Sequence, residues 1–214
     1  MIASFLPPAS TLGLYALACV ALAATPGPDM AVFVGKTLAG GRRLGFAALA
    51  GAMAGLLIHT LLAALGLSAL LAASAGAFRM LKVAGALYLL WLALSALRHG
   101  AALPLDQGAQ GDERWGHGFR TGFLINLTNP KIILFFVTFL PQFIDVGDAG
   151  ARGQLLFMGL MFIAVGALVN ALVIVLAAKL AATIKARPSA LRGFDYGFAA
   201  LMGAVAARLL WASE

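Results

Sequence analysis

The sequence predicts an all-α integral membrane protein in which six transmembrane helices form two inverted three-helix repeats, with broken first and fourth helices. Of its 214 residues, 62% are hydrophobic and only 11% are charged, whereas a soluble domain carries about 25% charged residues. Six apolar runs approach the ~20 residues that a helix needs to cross a ~30 Å hydrocarbon core. Prolines interrupt the first and the fourth of these runs. The composition therefore excludes a soluble globular domain, and the prolines point to irregular backbone at membrane depth.

The six predicted spans follow one another with short turns, except for one long polar connection in the middle of the chain. They cover residues 12–34, 45–66, 78–98, 119–143, 154–178 and 194–211. A short basic turn containing Gly40-Gly41 separates the first two spans. The polar connection divides the chain into a first three-helix repeat (1–98), a cytoplasmic linker (99–118) and a second three-helix repeat (119–214).

The two halves share several features at matching places. Each half opens with a span that is broken at proline, and each middle span carries a glycine four residues before a polar side chain. These pairs are Gly55 with His59 and Gly166 with Asn170. Because each half has an odd number of spans, two halves with a common fold must be inverted relative to each other. Inverted repeats with broken helices that meet near the midplane are the architecture of many secondary transporters.

The first break, Ala24-Thr25-Pro26-Gly27-Pro28-Asp29, predicts a polar site within the membrane. Pro26 and Pro28 have no backbone N–H, and each proline ring clashes with the carbonyl one turn back. Broken backbone at membrane depth is tolerated only where protein or a water-filled cavity lies against it. A carboxylate such as that of Asp29 is costly there unless it faces such a cavity.

The second break, Asn129-Pro130-Lys131, places a cation where the first places an anion. A helix that restarts after a break presents free N–H groups and a partial positive charge, which suits a substrate carboxylate. Asp29 is stabilised by the same field or accepts a proton when the site is desolvated, and Lys131 offers a point charge to a carboxylate. The alternative is that Asp29 and Lys131 form an internal ion pair that holds the two broken helices together.

Several further polar side chains lie in or beside the spans, and each has two interpretations. Thr25, Asn126, Thr128 and Asn129 either contribute to the site or satisfy backbone groups that the breaks free. His59 and Asn170 either line the cavity or pack within the protein. The candidate substrate and ion pathway comprises Thr25, Pro26, Gly27, Pro28, Asp29, His59, Asn126, Asn129, Pro130, Lys131 and Asn170.

Several other classes of site are disfavoured by residue type and spacing. His59 has no second His or Cys at ligand spacing, so no metal site is predicted. No phosphate-binding loop is present, so neither an ATP motor nor another cofactor is expected. The net charge of +7 arises from basic residues between the apolar runs, which is typical of membrane topology and does not predict nucleic-acid binding. We interpret Cys19 as a packing residue, and Gly51-x-x-x-Gly55 as a packing face within the protomer.

The distribution of basic residues predicts the orientation. Most of the 15 Lys and Arg residues lie in the loops after spans one, three and five. Since cytoplasmic loops are enriched in Lys and Arg, both termini are predicted to be periplasmic.

Four stretches together resemble the LysE/RhtB family of amino-acid exporters, and its homoserine/threonine/leucine branch more than its lysine branch. They are Thr25 to Asp29, Gly41 to Phe46, Gly85 to Ala93, and Gly122 to Phe143. The resemblance extends over nearly the whole chain, in the order and at the length usual for the family. It implies a six-span inner-membrane protein that exports amino acids or close analogues, driven by proton entry. By this likeness Pro26, Gly27, Pro28, Asp29, Asn129, Pro130 and Lys131 match the signature positions of the family.

The function we predict from these features is a secondary exporter of small neutral amino acids, working by proton antiport across the bacterial inner membrane. The substrate is expected between the halves, with its carboxylate near a helix N-terminus or Lys131, and Asp29 is the candidate for proton coupling. The expected partners are the amino-acid substrate, protons and membrane lipid, and a homodimer is left open. A cation exporter is disfavoured by the shortage of carboxylates in the spans. An intramembrane enzyme would need a nucleophile with a base or a metal cluster, which Asp29 and His59 alone do not make.

Overall fold

A computed structural model describes residues 7–67, 114–144 and 150–186, together with scattered helical positions between residues 76 and 98 and between residues 196 and 207. Every regular element in these ranges is helical. The elements are α1 (Ala9–Ala24), α2 (Pro28–Leu62, continued by a π-helical turn, Ala63–Leu67), α3 (Trp115–Thr128), α4 (Pro130–Leu134, continued by a π-helical turn, Phe135–Phe139, and a 3-10 turn, Leu140–Phe143) and α5 (Ala151–Ala186).

Both predicted breaks are confirmed. The chain leaves α1 after Ala24 and re-enters a helix at Pro28, and it leaves α3 after Thr128 and re-enters at Pro130. A proline is tolerated in the first turn of a helix because the N–H it lacks would have no partner there. The segments before and after the second break are bent by 50°, which is far less than a reversal, so the chain continues in the same general direction.

The α2 segment folds back on itself at the Gly40-Gly41 turn. Both glycines leave the helical conformation, and Gly41 has φ 77°, a left-handed value that suits glycine. Asp29 and Leu56 line one cavity, although a straight helix would hold them about 40 Å apart at 1.5 Å per residue. The segment therefore consists of a first arm (28–39) and a second arm (42–62). The predicted turn between the first two spans is confirmed.

The second arm packs side by side with α3 through glycines on both helices. A Cβ built on Gly51 would collide with the backbone of Phe119, and one built on Gly122 would collide with the backbone of Ala48. Small residues of this kind let helix backbones approach closely. The Gly51-x-x-x-Gly55 motif is thus a packing face within the protomer, as predicted. Residues later in the second arm contact residues later in α3, so the two helices run parallel.

The long helix α5 packs against both sides of the first break. The Tyr15 hydroxyl in α1 donates a hydrogen bond of 2.9 Å to the carbonyl of Met158. Further along, Val34 of the first arm shares a buried cluster with Ala177. Because the later residue of this side again contacts the later residue of α5, α1 and the first arm run parallel to α5. The free thiol of Cys19 is buried in the core beside this interface.

Not all of the predicted spans fall within the described residues. There, two segments are long and apolar enough to cross a membrane by length and composition, Ala151–Ala177 and Pro28–Gly66, of which the second is divided into two arms at Gly40-Gly41. The bent pair of α3 and α4 adds a third if it is one span. Most residues of the predicted third and sixth spans lie outside the described ranges, as does most of the linker. Since α3 begins at Trp115, this helix includes the last residues of the segment 99–118.

Candidate functional site

The two breaks meet at one cavity of about 30 Å³, lined by residues from all five helices. This volume is enough for one or two water molecules. Five of the predicted pathway residues contribute to its wall, and they come from both halves of the chain. They are Thr25, Asp29, Asn126, Lys131 and Asn170.

Asp29 and Asn126 form the polar centre of the cavity. The amide nitrogen of Asn126, Nδ2, donates a 2.9 Å hydrogen bond to Oδ2 of Asp29. Because a carboxylate only accepts hydrogen bonds, this contact assigns the amide nitrogen to that side and directs Oδ1 of Asn126 elsewhere. That oxygen and Oδ1 of Asp29 are both buried without a hydrogen-bond partner. Asn126 is only 1% exposed, so the site holds two unpaired acceptors out of contact with bulk solvent.

Lys131 interacts with the end of α1. Its ammonium donates to the carbonyls of Thr25 at 3.1 Å and Leu22 at 3.3 Å. The Leu22 carbonyl would normally accept from the residue four positions later, but that residue is Pro26, which has no N–H. The cation also lies at the negative end of the helix dipole of α1. Lys131 therefore satisfies a carbonyl that the first break frees.

Within the described residues no direct ion pair joins Asp29 to Lys131: the carboxylate contacts Asn126, and the ammonium contacts backbone carbonyls. Gly27 leaves room for this arrangement, since a Cβ at that position would stand 3.2 Å from Nζ of Lys131. The negative charge of Asp29 lies at the N-terminus of α2, and the positive charge of Lys131 lies at the C-terminus of α1. Each of these helix ends favours the charge it receives. The alternative of a direct structural ion pair is not the arrangement observed.

The second break is stabilised by its own asparagine. Oδ1 of Asn129 accepts a 3.0 Å hydrogen bond from the backbone N–H of Lys131 and so caps the N-terminus of α4, a preferred role for asparagine. Its Nδ2 is buried without a partner. The hydroxyls of Thr25 and Thr128 each donate to the carbonyl one turn back, at 2.6 and 2.8 Å. These two threonines interact with the backbone through their hydroxyls.

Asn170 and His59 occupy different environments. The amide of Asn170 lines the cavity and donates a 2.8 Å hydrogen bond to the carbonyl of Gly166 in its own helix. The ring of His59 is buried and stacks on Phe136 with a centroid separation of 5.6 Å. It is not among the residues that line the cavity. The structure thus brings Asn170 to the cavity, whereas His59 packs on Phe136 outside the cavity wall.

The apolar part of the wall was not anticipated from the sequence. It includes the two flexible side chains Met30 and Met53, and the larger Leu56 and Phe162. Nothing in the hydropathy of a span distinguishes a residue that faces a cavity from one that faces lipid. The role of the Leu22 carbonyl was also missed, although its position four residues before Pro26 is a signal that could have identified it. In the ranges that the structure describes, no three His, Cys, Asp or Glu side chains are grouped to hold a metal ion.

A sequence model of the LysE type translocator family matches residues 20–213, a range that contains both breaks and every residue of the cavity. The chain belongs to this family. The homoserine/homoserine lactone efflux protein of Salmonella typhi is 35% identical to it, over 91% of this chain and 93% of the relative. The protein of the same name from Salmonella typhimurium matches equally. An uncharacterized membrane protein of Vibrio cholerae is 35% identical over 80% of this chain and 82% of its own length. No solved structure matches the chain.

This membership confirms the family resemblance found in the sequence. A LysE type translocator is a membrane protein that transports solutes, so the chain is a transporter and not an enzyme. The cavity between the breaks is therefore considered as a transport site.

Proposed function

We propose that this translocator exports small neutral amino acids across the bacterial inner membrane by proton antiport. The observation that carries the proposal is the convergence of two broken helices on one buried cavity, where Asp29 keeps an unpaired carboxylate oxygen beside Asn126. An intramembrane ionisable group at such a place is by default the first hypothesis for a functional site. The names of the Salmonella relatives support the substrate class, because homoserine is a zwitterion without net charge.

The proposal includes two inverted halves, which the matching positions of four residues near the breaks support. Asn126 of α3 lies against Gly55 of the second arm, and Leu22 of α1 lines the cavity together with Gly166 of α5. Leu22 and Asn126 each lie two residues before the end of their helix. Gly55 and Gly166 each lie four residues before the polar side chain of their span. A two-fold relation brings equivalent positions of the two halves together in this manner.

The polar contacts across the two breaks are reciprocal as well. The charged residue after the second break, Lys131, contacts the Leu22 carbonyl, which lies before the first break. The charged residue after the first break, Asp29, contacts Asn126, which lies before the second break. The partner of each charged residue therefore lies in the helix that precedes the opposite break.

The directions of the helices support six crossings. The second arm and α3 are neighbours that run parallel, and a chain that joins two parallel neighbours must cross back between them. The predicted third span, 78–98, occupies this place in the sequence. With six crossings both termini lie on one side, and the basic loops assign that side to the periplasm.

Transport requires the cavity to open. A space of about 30 Å³ accommodates water but not a whole amino acid, so this conformation is closed around the site. The glycine contacts hold the second arm and α3 together across the two halves. We therefore propose that this pair moves against α1 and α5, in place of the rocking of one whole half against the other that is common in inverted-repeat transporters. Asp29 takes up a proton from the side to which the site opens after substrate release.

The variant Asp29→Asn tests the coupling. Asparagine keeps the shape of the side chain and can still accept from Asn126, but it does not titrate. In proteoliposomes we expect exchange of labelled homoserine at saturating concentration to persist, while accumulation driven by a pH gradient is lost. Thr128→Val serves as a control, since Thr128 is beside a break but does not line the cavity. Undiminished pH-driven accumulation by Asp29→Asn would refute the coupling role.

A further inference from the structure

We infer that two unequal gates close the cavity, an aromatic cluster on one side and the ring of Phe33 on the other, and that this conformation opens first where Phe33 stands. We call these the Ala9 side, where α1 begins, and the Gly41 side, which contains the Gly40-Gly41 turn. The inference rests on the proposed function, because an exporter loads its site from the cytoplasm and the basic loops assign the Gly41 side to the cytoplasm.

The directions of the helices determine on which side of the cavity each buried residue lies. Helix α1, the first arm and α5 run from the Ala9 side to the Gly41 side, so their residues that precede the cavity lie on the Ala9 side and those that follow it lie on the Gly41 side. The second arm folds back at the Gly40-Gly41 turn, and this arm and its parallel neighbour α3 therefore run the opposite way. Helix α4 continues in the general direction of α3, so it leads from the cavity toward the Ala9 side.

On the Ala9 side the cavity is closed by five aromatic rings from α1, α4 and α5. The ring of Phe162 lines the cavity and lies 4.3 Å from that of Phe135, whose centroid is 5.2 Å from that of Phe139. The ring of Tyr15 packs on those of Phe135 and Phe143, at centroid separations of 6.2 and 5.1 Å. Aromatic pairs at these separations attract each other beyond the effect of buried area alone. Opening this side must therefore separate several packed pairs at once, and we call these five residues the aromatic gate.

Two further features restrain the aromatic gate. The rings of Phe135 and Phe139 are carried by the π-helical turn that continues α4, and such turns are rare and frequently lie at functional sites. The buried hydroxyl of Tyr15 donates its 2.9 Å hydrogen bond to the carbonyl of Met158. Moving α1 away from α5 would remove this acceptor while the hydroxyl is still shielded from water, which is unfavourable for a polar group.

On the Gly41 side a single ring stands between the cavity and the next layer of buried residues. Phe33 lines the cavity and belongs to a buried cluster with Ala48, Leu49, Ala52 and Ile174. A smaller cluster beside it contains Met30, Val34 and Ala177. Among the described residues neither cluster holds another aromatic ring, and three of their members are alanines. Displacement of the Phe33 ring therefore disrupts fewer contacts than opening of the aromatic gate.

The polar contact across the Gly41 side is also easier to replace. Nη2 of Arg42 donates a 2.9 Å hydrogen bond to the carbonyl of Val175 and so joins the turn to α5. This bond is exposed, so water can take the place of either partner when the turn moves. The bond between Tyr15 and Met158 has the same length but is buried, and breaking it leaves a polar group unpaired. Since an unpaired buried group costs far more than an exchange with water, the stronger restraint lies on the Ala9 side.

Labelling of a single cysteine from the two sides of the membrane tests the inference. The chain has one cysteine, the buried Cys19, so Cys19→Ala supplies a background without thiols. In this background Ala52→Cys places a thiol in the cavity wall, while Ser10→Cys and Arg43→Cys place exposed thiols on the Ala9 side and the Gly41 side. Each protein is treated with a small, membrane-impermeant methanethiosulfonate in intact cells and in inside-out vesicles. We expect Ala52→Cys to react at least tenfold faster from the side that labels Arg43→Cys than from the side that labels Ser10→Cys.

Two ring deletions in the Ala52→Cys protein assign the gates. Phe162→Ala should raise labelling from the Ala9 side at least tenfold, whereas Phe33→Ala should raise labelling from the Gly41 side and leave the other side unchanged. Phe123→Ala is the matched control, because it removes a partly buried ring that does not line the cavity, and both rates should stay as they were. Phe162→Leu, which keeps an apolar side chain in the wall, takes the place of Phe162→Ala should the alanine variant not fold.

The outcomes separate this inference from the proposed function. Equal or faster labelling of Ala52→Cys from the Ala9 side would overturn it, as would the absence of labelling from both sides in a protein that exchanges homoserine. Unchanged labelling from the Ala9 side in a folded Phe162 variant would also overturn it, and labelling of Arg43→Cys in intact cells would refute loading from the cytoplasm. The expected labelling without exchange of any amino acid would refute the proposed exporter and leave the unequal gates in place.

Discussion

Gly55 offers a precise way to displace Asn126 without altering any polar group. A Cβ at Gly55 would lie 2.7 Å from Oδ1 of Asn126 and 3.2 Å from its Cβ. The first contact must lengthen to about 3.4 Å before it becomes an ordinary van der Waals contact. If Nδ2 of Asn126 recedes from Asp29 by a similar amount, their 2.9 Å hydrogen bond lengthens to about 3.6 Å, which is no longer a hydrogen bond. We therefore predict that Gly55→Ala impairs the site.

The expected magnitudes differ for stability and for transport. Overpacking costs about 1–3 kcal/mol, whereas replacing a helical glycine by alanine contributes about 1 kcal/mol in favour of the helix. The net loss of folding stability is then about 0–2 kcal/mol. The hydrogen bond to the charged Asp29 is worth about 1.5–3 kcal/mol. Since about 1.4 kcal/mol corresponds to a factor of ten, the KM for homoserine exchange should rise by about ten- to hundredfold.

Gly35→Ala provides the control, since it makes the same substitution in the first arm of α2, where a Cβ would meet nothing within 4 Å. Both variants are compared by thermal unfolding in detergent and by homoserine exchange in proteoliposomes. We expect Gly35→Ala to keep the wild-type KM and to be at least as stable as the wild type. A wild-type KM for Gly55→Ala, or an equal rise for both variants, would refute the reasoning from Asn126.

Two further predictions concern the topology and the first break. A reporter fused after residue 108 should be cytoplasmic and one fused after residue 149 periplasmic, and the opposite result would contradict the six-span orientation. Replacement of Pro26, Gly27 and Pro28 by alanine should allow a continuous helix and abolish export, while insertion persists because the apolar length is unchanged. Normal export by a stably inserted triple variant would show that the break is not required.

The parts of the structure that the sequence predicted well depend on the chemistry of single residues. Pro26, Pro28 and Pro130 have no N–H wherever the chain places them, so the two breaks could be located in advance. The Gly40-Gly41 turn was similarly accessible, because glycine adopts positive φ without strain. The glycine face on the second arm was also predicted, although its partner α3 became known only from the structure.

The parts that could not be predicted depend on which face of a helix meets which neighbour. The sequence places both His59 and Asn126 within apolar spans, but only Asn126 lines the cavity, and His59 stacks on Phe136. The hydrogen-bond partners of Lys131 could not be predicted either, since a long flexible side chain reaches whichever acceptors the packing brings near. Apolar residues such as Phe162 gave no signal, because cavity-facing and lipid-facing positions have the same composition.

The separation of the two charges has a mechanistic consequence. If the Lys131 ammonium left the end of α1 to bond to Asp29, the Leu22 carbonyl would be left buried without a donor, at a cost of about 1–3 kcal/mol. Any change in the charge of Asp29 would then strand a buried cation, which typically costs about 3–5 kcal/mol. In the observed arrangement Lys131 is stabilised by the end of α1 and Asp29 by the start of α2. A change in the protonation state of Asp29 can therefore leave in place the contacts of Lys131 that hold the first break together.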